Sequence, residues 1–183
     1  MAIIGVLALQ GNVAFHQAAL AQHDFAVKMI RQPQQLADVQ GLVIPGGEST
    51  ALLKLMAPWD FSSAINDCYA RGVPIFGSCA GAILLAESVA PDQSSLGLIP
   101  MSIERNAYGR QLDSFVGKAD QAADELVFIR APKIAAVGDR VQVVLRHQGE
   151  PVLVQCEHAM AATYHPEMSD YQRVADFFRS HIH

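Results

Sequence analysis

A cysteine flanked by glycines, in "VPIFGSCAGAILLA" (residues 73–86), is the first place where this sequence could do chemistry. An apolar run leads into Gly77-Ser78-Cys79-Ala80-Gly81, and helical spacing follows. That order of strand, tight turn and helix is the context of a nucleophile elbow, with cysteine where serine is more often found. The requirement is steric, because a nucleophile on so sharp a turn sits in a strained backbone and its neighbours two positions away must be small. The expected gain is a sulfur raised above the C-terminal edge of a sheet, at a helix N-terminus that favours thiolate. The Ala80 N–H then stands ready to donate to an oxyanion. The bland alternative is that Cys79 is a small buried residue in a glycine-rich turn.

A cysteine nucleophile needs a base, and "AATYHPEMSD" (residues 161–170) offers one. His165 and Glu167 are two apart, so in an extended segment both side chains leave the same face. The carboxylate can fix the imidazole tautomer and stabilise imidazolium, leaving the other nitrogen for the thiol. Pro166 between them suits a strand end rather than a ladder interior. His158 is the rival base, but its neighbour Glu157 would point to the opposite strand face. Cys156 with His158 makes only half of a metal site, and no further ligands stand at recognisable spacing. Cys68 reads as a packing residue, and His181 and His183 as a solvated tail.

The elements that would position these groups read as one α/β domain, residues 1–183. Residues 3–9 form a continuous apolar strand, and residues 13–22 have helical spacing with Val13, Leu20 and the alanines on one side. "AVKMI", "GLVIPGG" and "VPIF" read as further strands. Between them lie the helices "STALLKLM", capped by Ser49 or Thr50, and "SSAINDCYARG", stopped by Gly72. The helix after the elbow is expected through "AILLAESV". Continuous apolar strands separated by helices imply a parallel sheet covered on both faces. Residues 96–157 break into short strands joined by turns, so hairpins and a mixed sheet are expected there. A final helix should open at Ser169 and bury Val174, Phe177 and Phe178.

Composition removes several function classes. The chain is 51% apolar and 17% charged with a net charge of −5, and no Lys/Arg block stands out. Nucleic acid is therefore not an expected partner. Apolar runs fall far short of the roughly 20 residues that cross a bilayer. "MAIIGVLALQG" lacks a basic start and reads as a first strand, not a signal peptide. Three cysteines without a CxxC pair suit a reducing, cytoplasmic setting without disulfides or structural zinc.

Taken together, "PGGEST", "GSCAG" and "HPE" resemble the class I glutamine amidotransferases, the Cys-His-Glu glutaminases. "IGVLALQGN", "RNAYGRQ" (residues 105–111) and "FIRAP" (residues 128–132) narrow the resemblance to the glutaminase subunits of pyridoxal 5′-phosphate synthase, over residues 3 to about 180. The resemblance implies a flavodoxin-like three-layer sandwich, a mixed, mostly parallel sheet with helices on both faces. It implies hydrolysis of L-glutamine to glutamate and ammonia, without cofactor or metal. Ammonia would pass through a channel in a partner synthase subunit of a hetero-oligomeric complex.

Residue by residue, the resemblance makes Cys79 the nucleophile and His165 and Glu167 its partners. It places Gly46, Gly47, Glu48, Arg105, Ile129 and Arg130 at the glutamine site and Gln10 in the loop facing the synthase. Ser78 stands where threonine is usual, and Val116 where an acidic residue is common. Arg105 and Arg130 suit a substrate with a free α-carboxylate. "PGGEST" lacks the Lys-Ser/Thr of a phosphate-binding loop. The competing readings are another elbow-cysteine α/β hydrolase, a non-catalytic binding subunit of the same fold, and a flavin binder.

Overall fold

Strands that are apolar on both faces need cover on both faces, and that requirement organises the molecule. The computed structural model describes residues 1–105 and 114–182. Its main sheet has seven strands in the order β10-β11-β12-β4-β3-β1-β2. Five of them, β12 (Ala159–Ala162), β4 (Ile75–Ser78), β3 (Gly41–Ile44), β1 (Ile3–Leu7) and β2 (Ala26–Ile30), run parallel. The edge pair β10 (Gln142–His147) and β11 (Glu150–Cys156) is antiparallel, which makes the sheet mixed as expected.

Alternation along each strand divides the core in two. Ile4 and Val6 of β1, Val43 of β3 and Phe76 of β4 pack with Leu20 of α1 (Val13–Gln22) and Val174, Phe177 and Phe178 of α5 (Gln172–His181). Leu42, Ile44 and Ile75 face the other way, onto α2 (Ser49–Met56), α3 (Phe61–Ala70) and α4 (Ala80–Leu85). The result is a three-layer α/β sandwich of flavodoxin-like type. A second sheet of β5 (Ala86–Ala90), β6 (Ile99–Glu104) and β9 (Lys133–Val137) adds Ile99, Ile103 and Ile134 to the α2–α4 side. The hairpin β7 (Phe115–Lys118) and β8 (Glu125–Phe128) closes over the other.

Several local expectations need correction. The helix after the elbow ends at Leu85, and Ser88 and Val89 pair with β6. Val89 is β-branched and Pro91 disfavours helix just before it, so strand pairing wins. Neither Ser49 nor Thr50 caps α2, because the Glu48 carboxylate accepts from the Thr50 and Ala51 amides while the Ser49 hydroxyl donates to Gln93. The terminal helix starts three residues beyond Ser169, where Asp170 accepts from the Gln172 amide. His181 belongs to α5, within hydrogen-bond reach of Phe177 O at 2.8 Å, and is no solvated tail. His183 and residues 106–113, with most of "RNAYGRQ", lie outside the described residues.

Candidate active site

The site forms where four parallel strands end. After β1 the chain crosses to β2 and after β3 to β4, so the order reverses between β1 and β3. Open α/β sheets bind ligands in the crevice at such a switch point. The loops that leave there carry Gln10 and Asn12, Gly46 to Glu48, Cys79, and His165.

Cys79 is an elbow in the strict geometric sense, with φ 50° and ψ −103°, a region L-residues seldom occupy. The Cys79 N–H donates to Ala162 O of β12 at 2.8 Å, and its carbonyl accepts from Ile83 N at 3.1 Å. The glycines on each side have no room to be anything else. A Cβ on Gly77 would come within 2.6 Å of the Gly81 carbonyl, and one on Gly81 within 2.0 Å of Ile44 O. Cys79 is 6% exposed, its sulfur 3.9 Å from Ile129 O. Ala80 opens α4, and its N–H belongs to the first turn, whose amides no helix carbonyl takes.

His165 and Glu167 are both buried, and the His165 Nδ1–H donates to Glu167 Oε1 at 2.7 Å. They do not meet through strand alternation. Residues Pro166–Met168 form a 3₁₀ turn with Pro166 at its head, and that turn brings the carboxylate back under the ring. Burial would lower the His165 pKa, but hydrogen bonds from the ring to the Cys79 sulfur and to Glu167 outweigh it and hold it near 10. For Glu167, burial pushes upward, yet His165 and His16 keep its carboxyl below the ordinary glutamate value. The ring and the carboxylate thus form a buried imidazolium–carboxylate pair beside the Cys79 sulfur.

Gly46 serves His165 directly. A Cβ there would lie 2.5 Å from His165 Cε1 and 3.3 Å from Cys79 Cβ. The Gly46 N–H donates to Ser78 Oγ at 3.1 Å, so within this turn Gly47 has the amide left for a substrate oxygen. Gln10 braces the same turn. Its Nε2 donates to Glu48 O at 3.4 Å, and its Oε1 accepts from Glu48 N at 3.3 Å.

The cleft above Cys79 is walled by Gly47, Glu48, Arg105, Ile129 and Arg130, all singled out from sequence, and by Ser49, Ile83 and Pro132. Glu48 contributes main chain rather than charge, since its carboxylate caps α2. The Thr50 bonds are the main reason its pKa is lowered. Arg105, just past β6, donates to Gln93 Oε1, which also accepts from Ser49 Oγ. Arg130 holds a positive φ of 43° just past β8. Val116 sits on β7, 60% exposed, opposite Val127.

Two site residues escaped the sequence reading. Asn12 Nδ2 donates to Glu167 Oε1 at 3.2 Å, and His16 lies 0% exposed with Nε2 3.4 Å from Glu167 Oε2. The one available signal was the position of His16 three residues from Val13 and four from Leu20, on the inward stripe of α1. The rival base is occupied elsewhere: the His158 ring stacks on Tyr69 at 4.0 Å and lies 2.8 Å from Tyr69 O through Nε2. Cys68 is a packing residue, fully buried in α3. Among the described residues no helix is long and apolar enough to cross a membrane.

Comparison with known proteins gives a consistent result. The profile of the SNO glutamine amidotransferase family matches residues 6–183. Pyridoxal 5′-phosphate synthase subunit PdxT of Mycobacteroides abscessus is 44% identical, over 96% of this chain and 95% of that protein. Its counterpart of the same name from Streptomyces griseus is 43% identical, over 96% and 93%. A crystal structure of a glutamine amidotransferase superposes with a TM-score of 0.89 at 36% identity, covering 97% of each chain. At 17% identity, a putative GMP synthase subunit from Thermoplasma acidophilum shares the fold alone, with a TM-score of 0.69 over 98% of this chain and 91% of that one.

Proposed function

This chain belongs to the SNO glutamine amidotransferase family, and we propose that residues 1–183 act as one glutaminase domain with Cys79, His165 and Glu167 as its catalytic set. The chain is a glutaminase subunit of pyridoxal 5′-phosphate synthase, hydrolysing L-glutamine to L-glutamate and ammonia for a partner synthase subunit. The Cys79 thiolate attacks the side-chain amide carbon, forming a C–S bond as the carbonyl electron pair moves onto oxygen. The Ala80 and Gly47 N–H groups hold that oxyanion; one such donor is worth about 10²–10³ in rate. His165 passes its proton to the departing nitrogen, so ammonia leaves and a thioester remains. Water then loses a proton to His165 and attacks the thioester, and the C–S bond breaks to return the thiolate and release glutamate. Glu167 keeps the ring oriented throughout and stabilises its charged form whenever it carries the proton. Arg105 and Arg130 take the α-carboxylate of the substrate.

What supports this assignment most is the meeting of a strained elbow thiol with a buried His165–Glu167 pair beneath a cleft that carries two arginines. The ammonia enters a channel in the synthase subunit of a hetero-oligomeric complex in the cytoplasm. Docking of that subunit over Gln10 acts on the Gly46–Gly47 turn, because Gln10 grips Glu48 from both sides of its main chain. The test is glutamate release from glutamine with and without a pyridoxal 5′-phosphate synthase subunit, for wild type and Cys79→Ala. Turnover that vanishes in the variant is the expected result. A folded wild-type chain with no turnover in either condition overturns the assignment.

A further inference from the structure

We propose that His16 is a positioning residue for the glutaminase reaction, a buried neutral imidazole that locks the Glu167 carboxylate and the Ser78–Gly46 link into one unit. The inference rests on the glutaminase reading above and assigns it a group outside Cys79, His165 and Glu167.

Three contacts carry it. The His16 ring, with no exposed surface, has Nδ1 2.9 Å from the Tyr171 hydroxyl and Nε2 3.0 Å from Ser78 Oγ. The same Nε2 lies 3.4 Å from Glu167 Oε2, a buried oxygen with no hydrogen-bond partner among the described residues, so His16 stands beside it at ion-pair distance. Ser78 Oγ in turn accepts the Gly46 N–H. Glu167 is approached from the start of α1 at both oxygens: Oε1 accepts from Asn12 Nδ2, and Oε2 lies beside His16 Nε2.

The tautomer follows from the neighbours. Burial drives the His16 pKa from 6.5 down to about 4, with Glu167 only partly opposing, so the ring is neutral at pH 7. A lone pair on Nε2 would face the Glu167 carboxylate in a dry site, which is unfavourable; an Nε2–H faces two acceptors. Nδ1 is then the acceptor for the Tyr171 hydroxyl, which burial keeps protonated by raising its pKa well above 10. A neutral donor adds no positive charge to compete with the His165 imidazolium, yet it fixes the oxygen that would otherwise swing. Through Ser78 the same ring also fixes Gly46, against which His165 packs. The titratable groups facing the His165–Glu167 pair are Cys79 ahead of α4, His16 on α1, Tyr164 after β12 and Tyr171 ahead of α5.

The experiment compares wild type, His16→Leu, His16→Gln and Tyr171→Phe, each with the synthase subunit. It measures kcat and KM for glutamate release from pH 6 to 10, together with thermal melting. Loss of the Nε2–H in His16→Leu is expected to lower kcat by about 10- to 100-fold, the scale of a small misplacement of a catalytic group, with KM within about threefold. The alkaline limb moves to lower pH, because a loosened Glu167 supports the imidazolium less well. His16→Gln restores a donor near the place of Nε2 and recovers much of the kcat. Tyr171→Phe frees the tautomer and costs about threefold, the scale of one neutral hydrogen bond. A lower melting temperature in His16→Leu with kcat and the alkaline limb unmoved overturns the proposal, as does His16→Gln no better than His16→Leu. If His16→Leu does not fold, wild-type kcat and limb in both His16→Gln and Tyr171→Phe overturn it. Absence of turnover in the folded wild-type chain instead removes the glutaminase reading, and this proposal with it.

Discussion

Replacing Gly46 with alanine is the sharpest perturbation this site offers, because a single methyl would land between His165 and Cys79, the proposed base and nucleophile. An alanine Cβ at that position lies 2.5 Å from His165 Cε1, 3.1 Å from Nδ1 and 3.3 Å from Cys79 Cβ. Carbon atoms pack at about 3.5–4.0 Å, so the imidazole must retreat by about 1 Å. The backbone itself accepts the change, since Gly46 is not among the residues with positive φ. Its N–H stays bonded to Ser78 Oγ. The harm therefore falls on the Cys79–His165–Glu167 alignment, and a displacement of about 1 Å in a reacting group costs about 10²-fold in rate. Initial rates of glutamate release, measured with the synthase subunit at saturating glutamine, give kcat, and a thermal melt reports folding. The expected outcome is kcat down by about two orders of magnitude with a melting temperature close to wild type. A kcat within threefold of wild type would refute the view that Gly46 exists to make room for the imidazole.

Two other outcomes follow from the same geometry. Gly81→Ala sets a Cβ 2.0 Å from the Ile44 carbonyl, a backbone atom that cannot turn aside, so the elbow must part from β3. A loss of about 3 kcal/mol in denaturant unfolding is expected, and a loss under 1 would contradict the contact. His16 makes stability depend on pH: its folded pKa of about 4 lies below the 6.5 of an unfolded histidine, so between those values the unfolded chain binds the extra proton. Its contribution is complete above pH 6.5 and is lost as pH falls toward 4, to a total of about 3 kcal/mol. His16→Gln should flatten that part of the stability–pH curve relative to wild type, and parallel curves would exclude the effect.

Much of this site was legible because its chemistry is written locally. The Gly-Ser-Cys-Ala-Gly turn declares itself through small residues whose lack of side chain the packing requires. The His-Pro-Glu spacing brings base and carboxylate together through three consecutive residues. His16 declares nothing of the kind. Its partners Ser78 and Tyr171 lie 62 and 155 positions away, and a lone histidine on a helix stripe reads as ordinary packing. Strand β12 was missed for a related reason: "AMAA" has weak β-propensity, and the strand forms because β4 and β11 pair with it on both sides. The α2 cap was misread because Ser49 and Thr50 are the usual capping types, whereas here a glutamate one residue earlier does the work. In each case tertiary neighbours decided what local preference left open.

The position of β12 also governs when the molecule becomes itself. Strand β4, buried along its whole length, has β3 on one side and β12 on the other, and β12 comes about eighty residues later in the chain. On the ribosome, β4 therefore waits as a bare apolar edge, the kind of surface that invites pairing with another chain. The thiol at its tip waits as well, since His165, its proposed base, follows directly after the strand that seals the edge. One late insertion both removes an aggregation hazard and, on the proposed glutaminase reading, completes the nucleophile's site, so a partly made copy would be sticky before it could be reactive.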